Sequence, residues 1–188
     1  VSNADGITSN TSPVFTGTGE LGSTVKLYDA SNSNALLGSA TVDGSGHYSI
    51  TPSAPLTAGA HQLYAQANDG AANTTAHTAN LAVVIDTAAP TAILLPTATV
   101  YTDAGLNAVV GTLGATDVGG SGAFTYQLVA GAGDTNNGNF TISNGVLKLN
   151  DPSAVGVATE SIRIKVTDAA GNFYSQALTV QVSTPPPP

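Results

Sequence analysis

The residues of this chain whose types and spacing could do chemistry are carboxylates. Asp69-Gly-Ala-Ala-Asn73 and Asp168-Ala-Ala-Gly-Asn172 share the pattern Asp-x-x-x-Asn, and the two copies stand 99 residues apart. Short Asp and Asn side chains close turns by bonding nearby backbone amides, so a pair of solvated turn caps is one reading. Carboxylates fixed on turns also suit calcium, which takes about 6–8 oxygen ligands, several of them from Asp or Glu. Both readings stand at this point, and they extend to Glu20, Asp43, Asp86 and Asp117, which lie near other turn signals.

The remaining chemical signals are weaker. Gly17-Thr-Gly-Glu-Leu-Gly22 has the spacing of a dinucleotide loop. That loop works only when a helix N-terminus follows it, and here the β-rich run Ser23-Thr-Val-Lys-Leu follows. His47, His61 and His77 have no metal-site spacing and read as surface or half-buried strand positions. Asp134-Thr-Asn-Asn-Gly138 lacks the distal Glu of a calcium loop of the helix-loop-helix kind. Serines are plentiful, but none has an oriented base beside it. No catalytic residue is assigned, and the chain reads as a non-enzyme.

Composition narrows the classes further. Charged residues make up 9% of the 188, with 12 acidic and 4 basic for a net charge of -8. Four scattered cations cannot neutralise a nucleic-acid backbone or grip an anionic lipid surface. There is no Cys, so a disulfide cannot staple a small extracellular domain, and a bound metal is the natural substitute. No apolar run approaches the roughly 20 residues that span a membrane. The chain starts at Val1 without Met and reads as an interior segment whose targeting signal lies elsewhere.

The elements that must position the acids are strands. Apolar residues alternate, Thr, Val, Ser and Gly dominate, and turn signals recur every several residues. Strands are expected at 13–18, 24–28, 36–42, 47–51, 60–68 and 78–85, then at 91–95, 108–115, 123–129, 139–143, 146–149, 161–167 and 174–182. Asn144-Gly145 is a strong hairpin signal, and Asp43-Gly-Ser-Gly46 is expected to do the same job in the first half. Asp86-Thr-Ala-Ala-Pro90 separates the halves. The fold class is therefore all-β, as two tandem Greek-key β-sandwiches: residues 1–88, residues 89–184, and a Pro-rich tail over 185–188. The short separation implies an elongated pair.

Loops alternate between the two ends of a sandwich, so counting strands sorts the acids by end. Taking 13–18 as the first strand puts Glu20 and Asp43 at the far end, and the last strand is required to end there too, which gathers Glu20, Asp43 and Asp86 at the end facing the second module. It puts Asp5, Asp29 and Asp69 at the other. In the second half, the loops with Asp117 and Asp168 face back toward Asp86. Asp86, Asp117, Asp168, Glu20 and Asp43 are the candidate metal ligands.

Residues 1–90 resemble a bacterial Ig-like repeat of giant adhesins exported by type I secretion (the RTX-type adhesins). The resemblance is carried by Asn3-Ala-Asp-Gly-Ile-Thr8, Phe15-Thr-Gly-Thr-Gly-Glu20, Ser23-Thr-Val-Lys-Leu-Tyr-Asp29, Asp43-Gly-Ser-Gly-His-Tyr-Ser-Ile50 and Val84-Ile-Asp-Thr-Ala-Ala-Pro90. Residues 91–184 resemble a cadherin-like repeat through Val110-Gly-Thr-Leu-Gly-Ala-Thr-Asp117, Phe124-Thr-Tyr-Gln-Leu128, Asn139-Phe-Thr-Ile142, Gly145-Val-Leu-Lys-Leu149 and Ile164-Lys-Val-Thr-Asp168. The second resemblance implies Ca2+ between successive repeats. It departs from the usual pattern at Asp117-Val-Gly119, at Ala158-Thr-Glu160 and at the end of the chain, where no acidic linker follows Val182.

The functional expectation is a non-catalytic extender or stalk module of a secreted cell-surface adhesin, rigidified by calcium at the interdomain junction. Its partners would be neighbouring repeats of the same chain, with a host or biofilm surface reached through other domains. It would be a monomer, with no nucleic acid bound and no membrane inserted. The alternative is a ligand-binding module for a glycan or a surface protein. A sugar platform needs exposed rings, and with no Trp the candidates in the first half are Tyr28, Tyr48 and Tyr64.

Overall fold

The computed structural model describes residues 6–71, 73–119 and 123–187. The chain divides into two compact units, Val1–Thr87 and Ala88–Pro188. Both are all-β, and among the described residues the only helical turns are three short 3-10 segments.

The first unit runs β1 (Ile7–Thr8), β2 (Phe15–Thr18), β3 (Thr24–Asp29), β4 (Ala35–Thr41), β5 (His47–Ile50), β6 (Gly59–Asn68) and β7 (Leu81–Ile85). One sheet has the order β1-β7-β6-β3-β4, and β2 pairs with β5 in a second. Alternation explains the packing: in Thr-Val-Lys-Leu-Tyr-Asp of β3, every second side chain is buried. Val25, Leu27, Leu63, Val83 and Ile85 from the larger sheet meet Phe15 and Ile50 from the smaller one in a single core. β3 lies beside β6, with β4 and β5 between them in sequence, which is the Greek-key crossover.

The second unit runs β8 (Ala92–Leu94), β9 (Thr99–Tyr101), β10 (Val109–Thr112), β11 (Gly114–Thr116), β12 (Thr125–Leu128), β13 (Phe140–Ser143), β14 (Val146–Leu149), β15 (Thr159–Thr167) and β16 (Phe173–Ser183). The sheets are β12-β15-β16-β9, β10-β14-β13 and the pair β11-β8. Ile162, Ile164, Val166, Val180 and Val182 of the first pack on Val110, Phe140, Leu147 and Leu149 of the second. In β15 the buried positions are Glu160, Ile162, Ile164 and Val166, and the same phase carries on to the buried Asp168. An acid thus terminates each end of the apolar stripe.

Three sequence expectations need correction. β1 and β9 were not anticipated, and both are short parallel additions: Ile7 and Thr8 pair with Val84 and Ile85, and Thr99–Tyr101 pair with Gln181–Ser183. Two or three residues are too few to display a period of two. The run expected as one strand over 108–115 is two strands in different sheets, β10 and β11. The Asp43 turn is closed locally, but it carries the chain from the sheet of β4 to that of β5 and is not a hairpin within one sheet. Asn144-Gly145 does form the hairpin: Ser143 pairs with Val146, and both turn residues have positive φ, 50° and 74°.

Candidate metal centre

The site is built from the end of the second unit at which β8 begins. Thr116 of β11 pairs with Ala92, and the Thr116 carbonyl accepts from the Thr91 amide at 2.8 Å. Asp117 follows directly. At the same end β15 turns into β16, with Thr167 opposite Phe173, and the turn between them starts at Asp168. The carboxylates of Asp117 and Asp168 come within 4.8 Å of each other. The expectation that these two loops share an end is met within this unit.

The two acids are held differently. Asp168 is buried and fixed by its own turn: Oδ1 accepts from the Asn172 amide at 2.8 Å and Oδ2 from the Asn172 side-chain amide at 3.0 Å. Both oxygens of Asp117 are shielded from solvent, and neither has a hydrogen-bond partner among the described residues. A buried polar atom without a partner is costly, and an ionised one more so. Two carboxylates this close also repel unless a cation stands between them. Hard oxygen donors in this state fit a hard divalent cation.

In the first unit the register sorts the acids differently from the strand count. β3 starts where β6 ends, with Thr24 opposite Asn68, and its other end reaches Asp29 opposite Leu63. β7 runs antiparallel to β6, so Asp86, one residue past Ile85, lies at the Asp29 end. Glu20, Asp43 and Asp69 lie at the opposite end, beyond Thr24, Thr41 and Asn68. The error is one of parity. The counted strands β2 to β7 number six, so the chain returns to the end where β2 began, and the uncounted β1 supplies the seventh crossing. Glu20 and Asp43 are therefore separated from Asp86 by the length of the unit. Asp5 lies outside the described residues.

Glu20 and Asp43 are exposed, while Asp86 is buried, at 3% exposure. Asp43 caps its turn, accepting from the amides of Ser45 at 2.8 Å and His47 at 3.0 Å, and these bonds hold its carboxyl below the usual carboxylate range. Asp69 repeats the Asp168 geometry, with Asn73 donating through its side chain at 2.7 Å and its backbone at 2.8 Å. Those bonds, the side-chain one foremost, likewise lower its pKa. Asp69 and Glu20 rim a cavity of about 350 Å³ floored by Val25, Ala65 and Ala67.

Two of the rings weighed as a sugar platform touch each other. Tyr28 and Tyr64 stack at 5.2 Å between centroids, and His77 covers Tyr64 at 4.9 Å. Tyr28, Tyr48 and Tyr64 are each half-buried.

Residues 1–87 match the family described as bacterial Ig-like domain. The matched stretch coincides with the first unit. No curated protein matches the sequence. Solved structures similar to the chain include the human desmocollin-1 ectodomain, at 16% identity and TM-score 0.41, covering 86% of this chain and 33% of that one. The fibronectin(III)-like modules of Clostridium thermocellum CbhA give 16% and 0.42, covering 95% and 88%. Drosophila N-cadherin EC1-3 gives 16% and 0.38, covering 95% and 63%. The chain thus spans a third of the desmocollin chain. No helix among the described residues is long and apolar enough to cross a membrane.

Proposed function

We propose that this chain is a non-catalytic extender module of a secreted cell-surface adhesin, and that calcium at the start of the second unit stiffens it. The observation that carries the reading is Asp117, whose two shielded oxygens have no partner while Asp168 stands within 4.8 Å. A divalent cation supplies the missing partner for both. Asp117 and Asp168 would hold it, and Asn172 would keep Asp168 aimed.

Asp86 is proposed as the third carboxylate. Thr91 is bonded to Thr116, the neighbour of Asp117, and Asp86 precedes Thr91 by five residues. Even a fully extended tether of that length spans at most about 17 Å. A carboxylate donated from the first unit would make the cation a clamp between repeats. Glu20 and Asp43 are not part of the proposed set, because they lie at the other end of their unit.

Calcium titration of the 188-residue chain, read by calorimetry and melting temperature, tests the reading. Binding with a dissociation constant of about 10⁻⁴–10⁻³ M, as for extracellular calcium modules, is expected. Magnesium should bind less well, since it demands near-octahedral geometry and sheds water reluctantly. Asp117→Asn should abolish the calcium-dependent rise in melting temperature while leaving the calcium-free protein folded. Calcium binding unchanged in Asp117→Asn, or absent in the native chain, would refute the proposal.

A further inference from the structure

Asp29 and His61 meet inside the first unit, 32 residues apart in the sequence. Asp29 alternates with Val25 and Leu27 along β3, so its side chain points into the sandwich, where it is 1% exposed. His61 alternates with Leu63 along β6 and is 7% exposed. Its Nδ1 lies 2.6 Å from Asp29 Oδ2, and its Nε2 lies 2.9 Å from the Thr57 carbonyl. Asp29 Oδ1 accepts from the Ser31 amide at 2.9 Å, which caps the 3-10 turn Ala30–Asn32.

Both ring nitrogens thus face acceptors. The Thr57 carbonyl can only accept. A neutral imidazole carries one N–H, so beside a carboxylate it would set a lone pair against a lone pair at one contact. Both contacts are satisfied only if the pair holds one extra proton. Imidazole is a stronger base than a carboxylate, so that proton belongs on the ring. The Ser31 amide donating to Asp29 favours the same assignment.

We propose that His61 is a buried imidazolium paired with Asp29, and that the pair is a pH-sensitive latch tying the end of β3, the 3-10 turn and the Thr57 segment to β6. Other charged groups leave this assignment in place. Among the described residues, the 3-10 turn, β1 and residues 51–58 carry no charged side chain, and the nearest acid from β7 is Asp86, just past Ile85 opposite Gly59. Burial pulls the His61 pKa down, but the Asp29 hydrogen bond, the Thr57 carbonyl and the Asp29 charge outweigh it, and the net shift is upward. A folded-state pKa above the unfolded 6.5 means that the stabilisation is complete below about pH 6.5 and is lost as pH rises through the folded value.

Nitrogen NMR of the imidazoles in the full chain tests the proton count directly. Below its midpoint His61 should carry protons on both nitrogens, and that midpoint should lie above 6.5. The melting temperature should fall as pH rises from 6.5 through that midpoint, and His61→Gln should flatten that dependence. A midpoint at or below 6.5, or equal pH dependence in the native chain and His61→Gln, would overturn the proposal. Should His61→Gln not fold, the midpoint of the native chain decides alone.

Discussion

Asp69 and Asp168 open the same five-residue turn, and each is gripped by the Asn four residues on. Burial separates them: Asp168 is 7% exposed and stands beside Asp117, whereas Asn73, the partner of Asp69, is exposed. Removing the Asn172 side chain takes away a charge-assisted donor from a buried carboxylate, a loss of about 1.5–3 kcal/mol. Asn172→Ala should therefore destabilise the second unit by that amount and weaken calcium binding roughly 10–100-fold, the usual effect of losing a group that orients a ligand. Asn73→Ala should change stability by no more than about 0.5 kcal/mol, as surface substitutions do. Chemical denaturation and calcium calorimetry on the two variants check both statements. The repeated motif was legible in the sequence. Which copy matters was not, because burial depends on strands distant in sequence. The Asp29–His61 pair did leave a sequence signal, an Asp in phase with Val25 and Leu27, but its partner is 32 residues away and only the β3–β6 pairing brings the two together.

At the scale of elements, long alternating runs were readable and short ones were not. β3, β6, β15 and β16 fall close to the expected spans because several turns of a period-two pattern identify a strand. β1 shows only Ile7-Thr8, and missing it reversed the parity that assigned Glu20 and Asp43 to the Asp86 end. Asp134–Gly138, set aside as a calcium loop, has no period that marks a strand. Its side chains fasten it to β15: Asn136 and Asn137 accept from the amides of Ser161 and Arg163, and Arg163 donates back to the Ala132 carbonyl. Polar residues without periodicity give no warning of such docking, since the edge they satisfy lies about 25 residues on. The β13–β14 hairpin is the opposite case, set by two adjacent residues. Gly145 has φ 74°, and a Cβ there would only brush Tyr126 at 3.9 Å, so a substitution is penalised by backbone conformation alone. Gly145→Ala should cost about 1–2 kcal/mol. Gly138→Ala, where a Cβ meets nothing within 4 Å and φ is not positive, should be close to neutral. Urea midpoints of the two variants decide the matter.

At the scale of the whole molecule, each unit buries its own core, and neither has a disulfide to stiffen it. A net charge of -8 with 4 basic residues leaves the acids little internal compensation, so an external cation has much to gain. The proposed clamp draws Asp86 from the first unit and Asp117 and Asp168 from the second, so calcium would bind only while both are folded. Linkage then couples their unfolding: at a hundredfold excess over the dissociation constant, the folded pair gains about 2.7 kcal/mol. For domains of this size, each kcal/mol moves a melting temperature by about 4–8 °C, so the gain should exceed roughly 10 °C. Core truncations can label the two units in a calorimetric scan, because Leu63→Ala and Ile164→Ala each cost about 2–5 kcal/mol in separate cores. With chelator, each truncation should lower only the transition of its own unit. With saturating calcium, either truncation should also lower the temperature at which the other unit loses its calcium-dependent gain, because unfolding one unit removes ligands from the shared ion. Asp86→Asn should restore independent transitions in calcium without unfolding either sandwich. Transitions that stay independent in saturating calcium would place the ion on Asp117 and Asp168 alone, and the stiffness of the stalk would then rest on packing between repeats.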